Sequence, residues 1–237
     1  MRGWGIPLSS IAGALALSGC ALVPSESLVG SEPNEYLVAY ADPNPTPDSF
    51  RVCHGYGCKL QTRVALSEAE WQRVRAAFKP RLRTASGERR QISAAIAIIE
   101  LEVGQRTGTA VHQRREPNRG DSTQLDCIDE SVNTWTYLTM LAGDGLLSMH
   151  RVGSIEHGGS LLGLDMRNTA IIELEMTGTR YAVDPWLVDV GAPPPILPLS
   201  IWLASWPPQI PGSADARELP AKPTLESRQE PSRAGPD

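Results

Sequence analysis

No apolar run in the chain approaches the ~18 residues that a membrane-crossing helix needs, so no transmembrane helix is expected. Positive charge is not in excess. Twenty-two basic residues face 27 acidic ones, for a formal charge of −5. A nucleic-acid binder would carry a basic patch, so the balance argues against a nucleic-acid partner, and none is expected. Cysteine is sparse, with four in 237 residues, too few for a dense disulfide scaffold. Collagen-like and heptad repeats are missing, as is any internal repeat. What is present is a hydrophobic fraction of 41%, enough for a core, together with 21 glycines and 20 prolines. That Gly and Pro content exceeds the usual ~12% and points to loop or disorder in part of the chain. A length of 237 residues fits one domain of ~150 residues with extensions.

The first twenty residues are MRGWGIPLSSIAGALALSGC. Arg2 precedes a short apolar stretch that ends in small residues, the layout of a secretory signal. Leu17-Ser18-Gly19-Cys20 resembles the lipobox of bacterial lipoproteins. That resemblance implies removal of residues 1–19 and lipidation of Cys20. Several acyl chains on one residue anchor stably, unlike one alone. The partner so implied is the membrane, through the lipid. Ala21 and Leu22 follow the cysteine, with no aspartate. By family analogy this implies the outer membrane of a Gram-negative cell, facing the oxidising periplasm.

Residues 20–48, rich in proline and polar residues, read as a flexible tether. Residues 207–237 hold seven prolines and many charges and read as a disordered tail. The folded domain is expected over 49–206. Ser67-Glu68-Ala69-Glu70 is a capping-box pattern that opens a helix carrying Trp71, Val74 and Phe78. A second helix is expected near 88–103, with Ile92, Ala95, Ile96, Ile99 and Val103 buried. Residues 104–122 read as a long loop. A third helix is expected from Cys127 to Ala142. Then the period changes, with strands expected at 146–152, 169–176 and 180–186. A hairpin turn lies at Thr177-Gly178-Thr179. A proline-rich loop over 191–198 and a short last helix over 199–206 follow. Helices followed by an antiparallel sheet make an α+β fold.

With Cys20 lipidated, Cys53, Cys58 and Cys127 remain, an odd number that leaves one thiol free. Cys53-His54-Gly55-Tyr56-Gly57-Cys58 is a tight loop suited to a disulfide between its ends. A metal site on Cys53, His54 and Cys58 needs a fourth ligand, and no metal or cofactor is expected. Cys127 then sits where a helix begins. Unpaired N–H groups and the dipole favour an anion there and lower a thiol's pKa. A thiolate nucleophile and a buried structural cysteine both stay open on this spacing.

Three pieces come together: Cys127 opening a helix, the strand Thr169–Leu174, and Tyr181-Ala182-Val183-Asp184-Pro185-Trp186 ending the next strand. Their order resembles the core of transglutaminase-like, papain-related cysteine hydrolases. Asp126-Cys127-Ile128-Asp129-Glu130-Ser131 is also similar to an uncharacterised bacterial group with this fold. The resemblance covers about residues 50–206. It implies that the Cys127 thiolate attacks an amide carbonyl, that an imidazole shuttles the proton, and that Asp184 holds the imidazole's tautomer. A peptide or cell-wall substrate at the envelope follows from it.

The sequence departs from that pattern at the base. A hairpin centred near Thr177-Gly178 sets Asp184 opposite about Ile171, and the family's histidine precedes that point. Arg167, Asn168 and Thr169 stand there instead. An arginine cannot accept the proton. His157, in the flexible segment Glu156-His157-Gly158-Gly159, is the replacement base that swings in. His150 reads as a partly exposed strand residue, and His54 and His112 lie upstream. Two functions follow. One is a thiol hydrolase or acyl transferase using Cys127, His157 and Asp184. The other is a catalytically inactive envelope lipoprotein that keeps the fold as a binding or scaffold module. Asp129 and Glu130 read as helix-dipole acids, Gly120-Asp121-Ser122 as a loop, and the arginines at 106, 114, 115 and 119 as solvated surface.

Overall fold

A computed structural model describes residues 34–159 and 166–204. The expected signal peptide, Cys20, tether residues 20–33 and the tail over 207–237 lie outside the described residues. Within them the fold is mixed α+β, with antiparallel sheets. No described helix is long and apolar enough to cross a membrane.

The second half of the expected tether is folded. Asn34 caps helix α1 (Glu35–Tyr40), its Oδ1 accepting from the Tyr36 and Leu37 N–H groups. Asp42 is buried beside the Arg51 and Arg63 guanidiniums. A hairpin then precedes the remaining helices. It pairs β1 (Phe50–His54) with β2 (Leu60–Val64) in the register Phe50 to Val64 through His54 to Leu60. Its loop is held by the Cys53–Cys58 disulfide. Gly55, Tyr56, Gly57 and Cys58 all have φ between 53° and 81°. Glycine takes that conformation freely, whereas Tyr56 and Cys58 do so at a cost. The loop composition hid this hairpin from the sequence.

Helix α2 (Glu68–Ala76) opens on the expected capping box of Ser67 and Glu70 and buries Trp71 and Val74. Helix α3 (Ala85–Thr107) is longer than its apolar stripe suggests. Thr84 caps it and Gly108, at φ 80°, ends it. A single 3-10 turn (Thr109–Val111) folds back onto Gly104. A Cβ at Gly104 would lie 2.8 Å from the Ala110 backbone nitrogen and 2.9 Å from its Cα. Gly104→Ala therefore lowers stability by about 1–2 kcal/mol, because the clash outweighs the helix propensity gained. A lower urea midpoint at unchanged m checks this.

Helix α4 (Cys127–Gly143) lies at the centre and is buried on nearly every side. One flank faces β1. There the Asn133 side chain accepts from the Cys53 N–H at 2.6 Å and donates to the Cys53 carbonyl at 2.9 Å. The other flank packs on a sheet of four antiparallel strands: β3 (His150–Gly158), β4 (Arg167–Leu174), β5 (Thr179–Val183) and β6 (Ile196–Pro198). The first of these starts later than residue 146. Residues 146–149 instead turn off the end of α4, the Leu146 N–H bonding to the Leu141 carbonyl. The sheet's back is covered by α5 (Leu199–Ala204), whose Leu199 and Trp202 pack on Ile171 and Ala182.

The β4–β5 register runs from Ala170–Val183 to Leu174–Thr179. Ile171 thus pairs with Ala182, not Asp184. Extending the ladder sets Asp184 beside Thr169, whose Oγ1 donates to the Val183 carbonyl at 2.9 Å. The slip is two residues, so each side chain keeps its face.

Candidate functional site

Cys127 is the first residue of α4, as its position suggested, and among the described residues it is the free cysteine. The α4 N-terminus is nonetheless already served by another anion. Asp126 Oδ1 accepts from the Ile128 and Asp129 N–H groups, each at 3.0 Å. The positive end of the helix therefore meets the Asp126 carboxylate rather than the thiol. Burial, joined by the Asp126 and Asp184 carboxylates and opposed by the backbone N–H groups of Asn168 and Cys127, pushes the Cys127 thiol up to about 12. The sulfur's side-chain neighbour is Asn168, with Nδ2 at 3.8 Å, and the Met166 carbonyl lies at 3.9 Å.

His157 does come near, though not by swinging in from a flexible segment. It sits on β3, paired in register with Asn168 on β4. Its bonds fix its tautomer. Asn34 Oδ1 is filled by two backbone donors, so its Nδ2 faces outward and donates to the Ile155 carbonyl at 3.0 Å and to His157 Nε2 at 3.2 Å. The ring's lone pair is thereby engaged at Nε2. Nδ1 carries the proton and donates to Asn168 Oδ1 at 2.5 Å. The Asn168 amide then points its N–H at the sulfur. The chain of donors runs Asn34, His157, Asn168, Cys127, with an amide standing between imidazole and thiol.

Asp184 is delivered by the hairpin and lies close enough to act on the thiol electrostatically. It is 2% exposed, and its Oδ2 accepts from Trp202 Nε1 at 2.7 Å. Burial pushes it up to about 7 against the pull of that bond, the Trp186 N–H and Arg167. It does not hold an imidazole. Arg167 does not bond the thiol either. It faces the other side of β4, donates to the Trp202 carbonyl at 2.8 Å and lies over the Trp202 ring. Alternation along the strand leaves Asn168 to meet the thiol.

The other imidazoles are tied elsewhere. His150 is buried, contrary to its reading as a partly exposed strand residue, and its Nδ1 lies 3.0 Å from Glu88. His54 bonds the Ser122 carbonyl and Thr62. His112 accepts from the Leu125 N–H. Among the described residues no imidazole is bonded to Cys127.

Two acids had more to do than steady a helix dipole. Asp129 is fully buried and accepts from the N–H groups of Tyr56, Cys58 and Asp126, at 2.7 to 3.0 Å. It thus clasps the disulfide loop to the start of α4. The disulfide sulfurs lie within 4.8 Å of its oxygens, but bonded sulfurs are not thiolate ligands, and the carboxylate is filled by N–H donors. Burial and the nearby Asp126 push Asp129 up to about 7. Glu130 faces Glu100 of α3 across a chamber of about 10 Å³ that Tyr137 and Thr109 also line. Burial pushes Glu100 up to about 8 and Glu130 well above the usual carboxylate range.

No family model matches the chain, and neither a curated protein nor a solved structure matches it.

Proposed function

We propose that the chain is a lipid-anchored envelope module that uses a cysteine-hydrolase-like framework for binding rather than for catalysis. The observation that carries this is Asn168. An amide has no titratable lone pair, so it cannot take the thiol proton in the step a cysteine hydrolase requires. Three further features support the reading. The thiol is pushed towards its protonated form. His157 offers Asn168 an N–H, while its lone pair is taken by Asn34. Asp184 is bonded to Trp202. The lipid anchor on Cys20 and the transglutaminase-like ancestry belong to the same proposal. Mass analysis of the mature N-terminus tests the anchor on its own.

Iodoacetamide labelling of Cys127 against pH tests the binding reading. The wild-type rate is expected to keep rising beyond pH 9, because only the thiolate reacts. Asn168→His sets an imidazole against the sulfur, and the rate at pH 7 is expected to increase at least tenfold. A wild-type thiol titrating well below ~8.5, or amide hydrolysis that Cys127→Ser abolishes, overturns the proposal and restores a hydrolase or acyl transferase.

A further inference from the structure

Helix α1 packs on α4 and β3, and its Tyr36 lies close enough to the Cys127 thiol to feel it electrostatically. Tyr36, Leu37 and Tyr40 face inward onto Ile128, Val132, Ile155 and the Cys53–Cys58 disulfide. Glu35, Val38 and Ala39 face solvent. The Tyr36 ring lies 5.3 Å from the His157 ring, and its hydroxyl meets the Asn168 side chain beside Cys127. Yet α1 is six residues long and buries none of them fully. A helix so short does not hold itself together in water, so its shape comes from the surface beneath it and from Asn34. That one side chain caps the helix with its oxygen and fastens it to β3 with its nitrogen. Segments with few buried contacts are the ones that open locally.

We propose that the surface over Cys127 is a peptide-binding groove which α1 fills in cis, latched by Asn34. The partner it takes is a peptide segment that forms one or two helical turns with aromatic residues at i and i+4, as Tyr36 and Tyr40 are spaced. Helical segments of this kind dock in apolar grooves through such anchors. The proposal rests on the binding reading above and names its ligand class. Binding in trans requires α1 to lift first, and lifting exposes the thiol.

The experiment uses the full chain and the rate of Cys127 alkylation at one fixed pH. Asn34→Ala removes the cap and both latch bonds, and its rate is expected to exceed wild type at least tenfold, as the loss of two hydrogen bonds implies. The synthetic peptide PNEYLVAYAD, residues 33–42, added in millimolar excess, slows that variant back towards the wild-type rate. A scrambled peptide does not. Val38→Ala, on the outward face, reacts as wild type does. In the wild-type chain, amides of residues 35–40 exchange with solvent deuterium well before those of α4. An Asn34→Ala chain with unchanged circular dichroism and unchanged alkylation overturns the latch. Exchange of α1 only at the rate of α4 overturns it without any variant. A released groove that ignores the peptide overturns the ligand class. The pH profile of alkylation is a separate readout, so failure of the non-catalytic reading is distinguished from failure of the latch.

Discussion

Glu88→Ala is expected to cost about 3–5 kcal/mol, the range for breaking a buried, fully bonded charge. Glu88 is 2% exposed, on the first turn of α3. Its carboxylate accepts from the N–H groups of Ser148, Met149 and His150, each at 2.9 Å, from the Ser148 hydroxyl, and from His150 Nδ1. It thus ties the turn after α4 and the start of β3 to α3. Alanine leaves three backbone donors without an acceptor at a place water reaches poorly, and each orphaned donor costs about 1–3 kcal/mol. Glu88→Gln keeps one acceptor oxygen but turns an NH2 towards donors, so it is expected to recover less than half of the loss. Urea denaturation of the two variants and wild type, compared at pH 7, checks both. Equal midpoints for all three chains would show that the carboxylate is not needed.

Stability is expected to fall as pH rises from ~4 to ~8. The sign follows from which state holds more protons. Burial raises Asp129 and Asp184 to about 7 and Glu100 to about 8, whereas exposed carboxylates of an unfolded chain titrate near ~4. Between those limits the folded chain keeps protons that the unfolded chain has released. The stability these groups provide is complete below ~4 and lost as pH passes the folded value. One carboxyl displaced by three decades of proton affinity is worth about 4 kcal/mol, which for a chain of this size is roughly 10 °C in Tm. Glu88 acts with the opposite sign. Burial opposes its ionisation, but the bonds from Ser148, Met149 and His150 outweigh it and hold it below the usual range. Its stability is present above the unfolded value and is lost as pH falls through the folded one. The two trends place the maximum in mildly acidic solution. Thermal melts from pH 3 to 9 check this, and Asp184→Asn, which removes one of the groups, flattens the alkaline limb. A maximum above pH 8 would contradict the assignment of these acids as protonated.

The sequence made legible the features that depend on local pattern. The capping box at Ser67 and Glu70, the start of α4 at Cys127 and the turn at Thr177-Gly178 are set by residues within a few positions of each other, and all three stand in the structure. The Cys53–Cys58 bond was suggested by the tight two-glycine loop between the two cysteines, and the structure holds it. What stayed hidden depends on distant partners. Asn133 and Asp129 look like ordinary helix residues until β1 and its loop are folded against them. Glu130 shares the first turn of α4 with Asp129, yet only the position of α3 makes it a buried acid. His157 reads as loop because two glycines follow it, whereas pairing with β4 makes it strand. The resemblance pointed to residues 167–169, but which of the three faces the thiol depends on strand alternation and a two-residue register. Asn34 had no local signal beyond being a helix-capping type, because its second contact lies 121 residues away.

The Asn133 amide has a consequence for how the hairpin behaves towards other molecules. A two-stranded ribbon exposes unpaired backbone groups along both outer margins, and such margins invite pairing with a neighbouring chain. At Cys53 the outer N–H and carbonyl of β1 are both satisfied by one side chain of α4. The amide copies the donor–acceptor pattern of a strand without extending the ribbon. Helix α4 thereby shields this margin from pairing with a neighbouring chain.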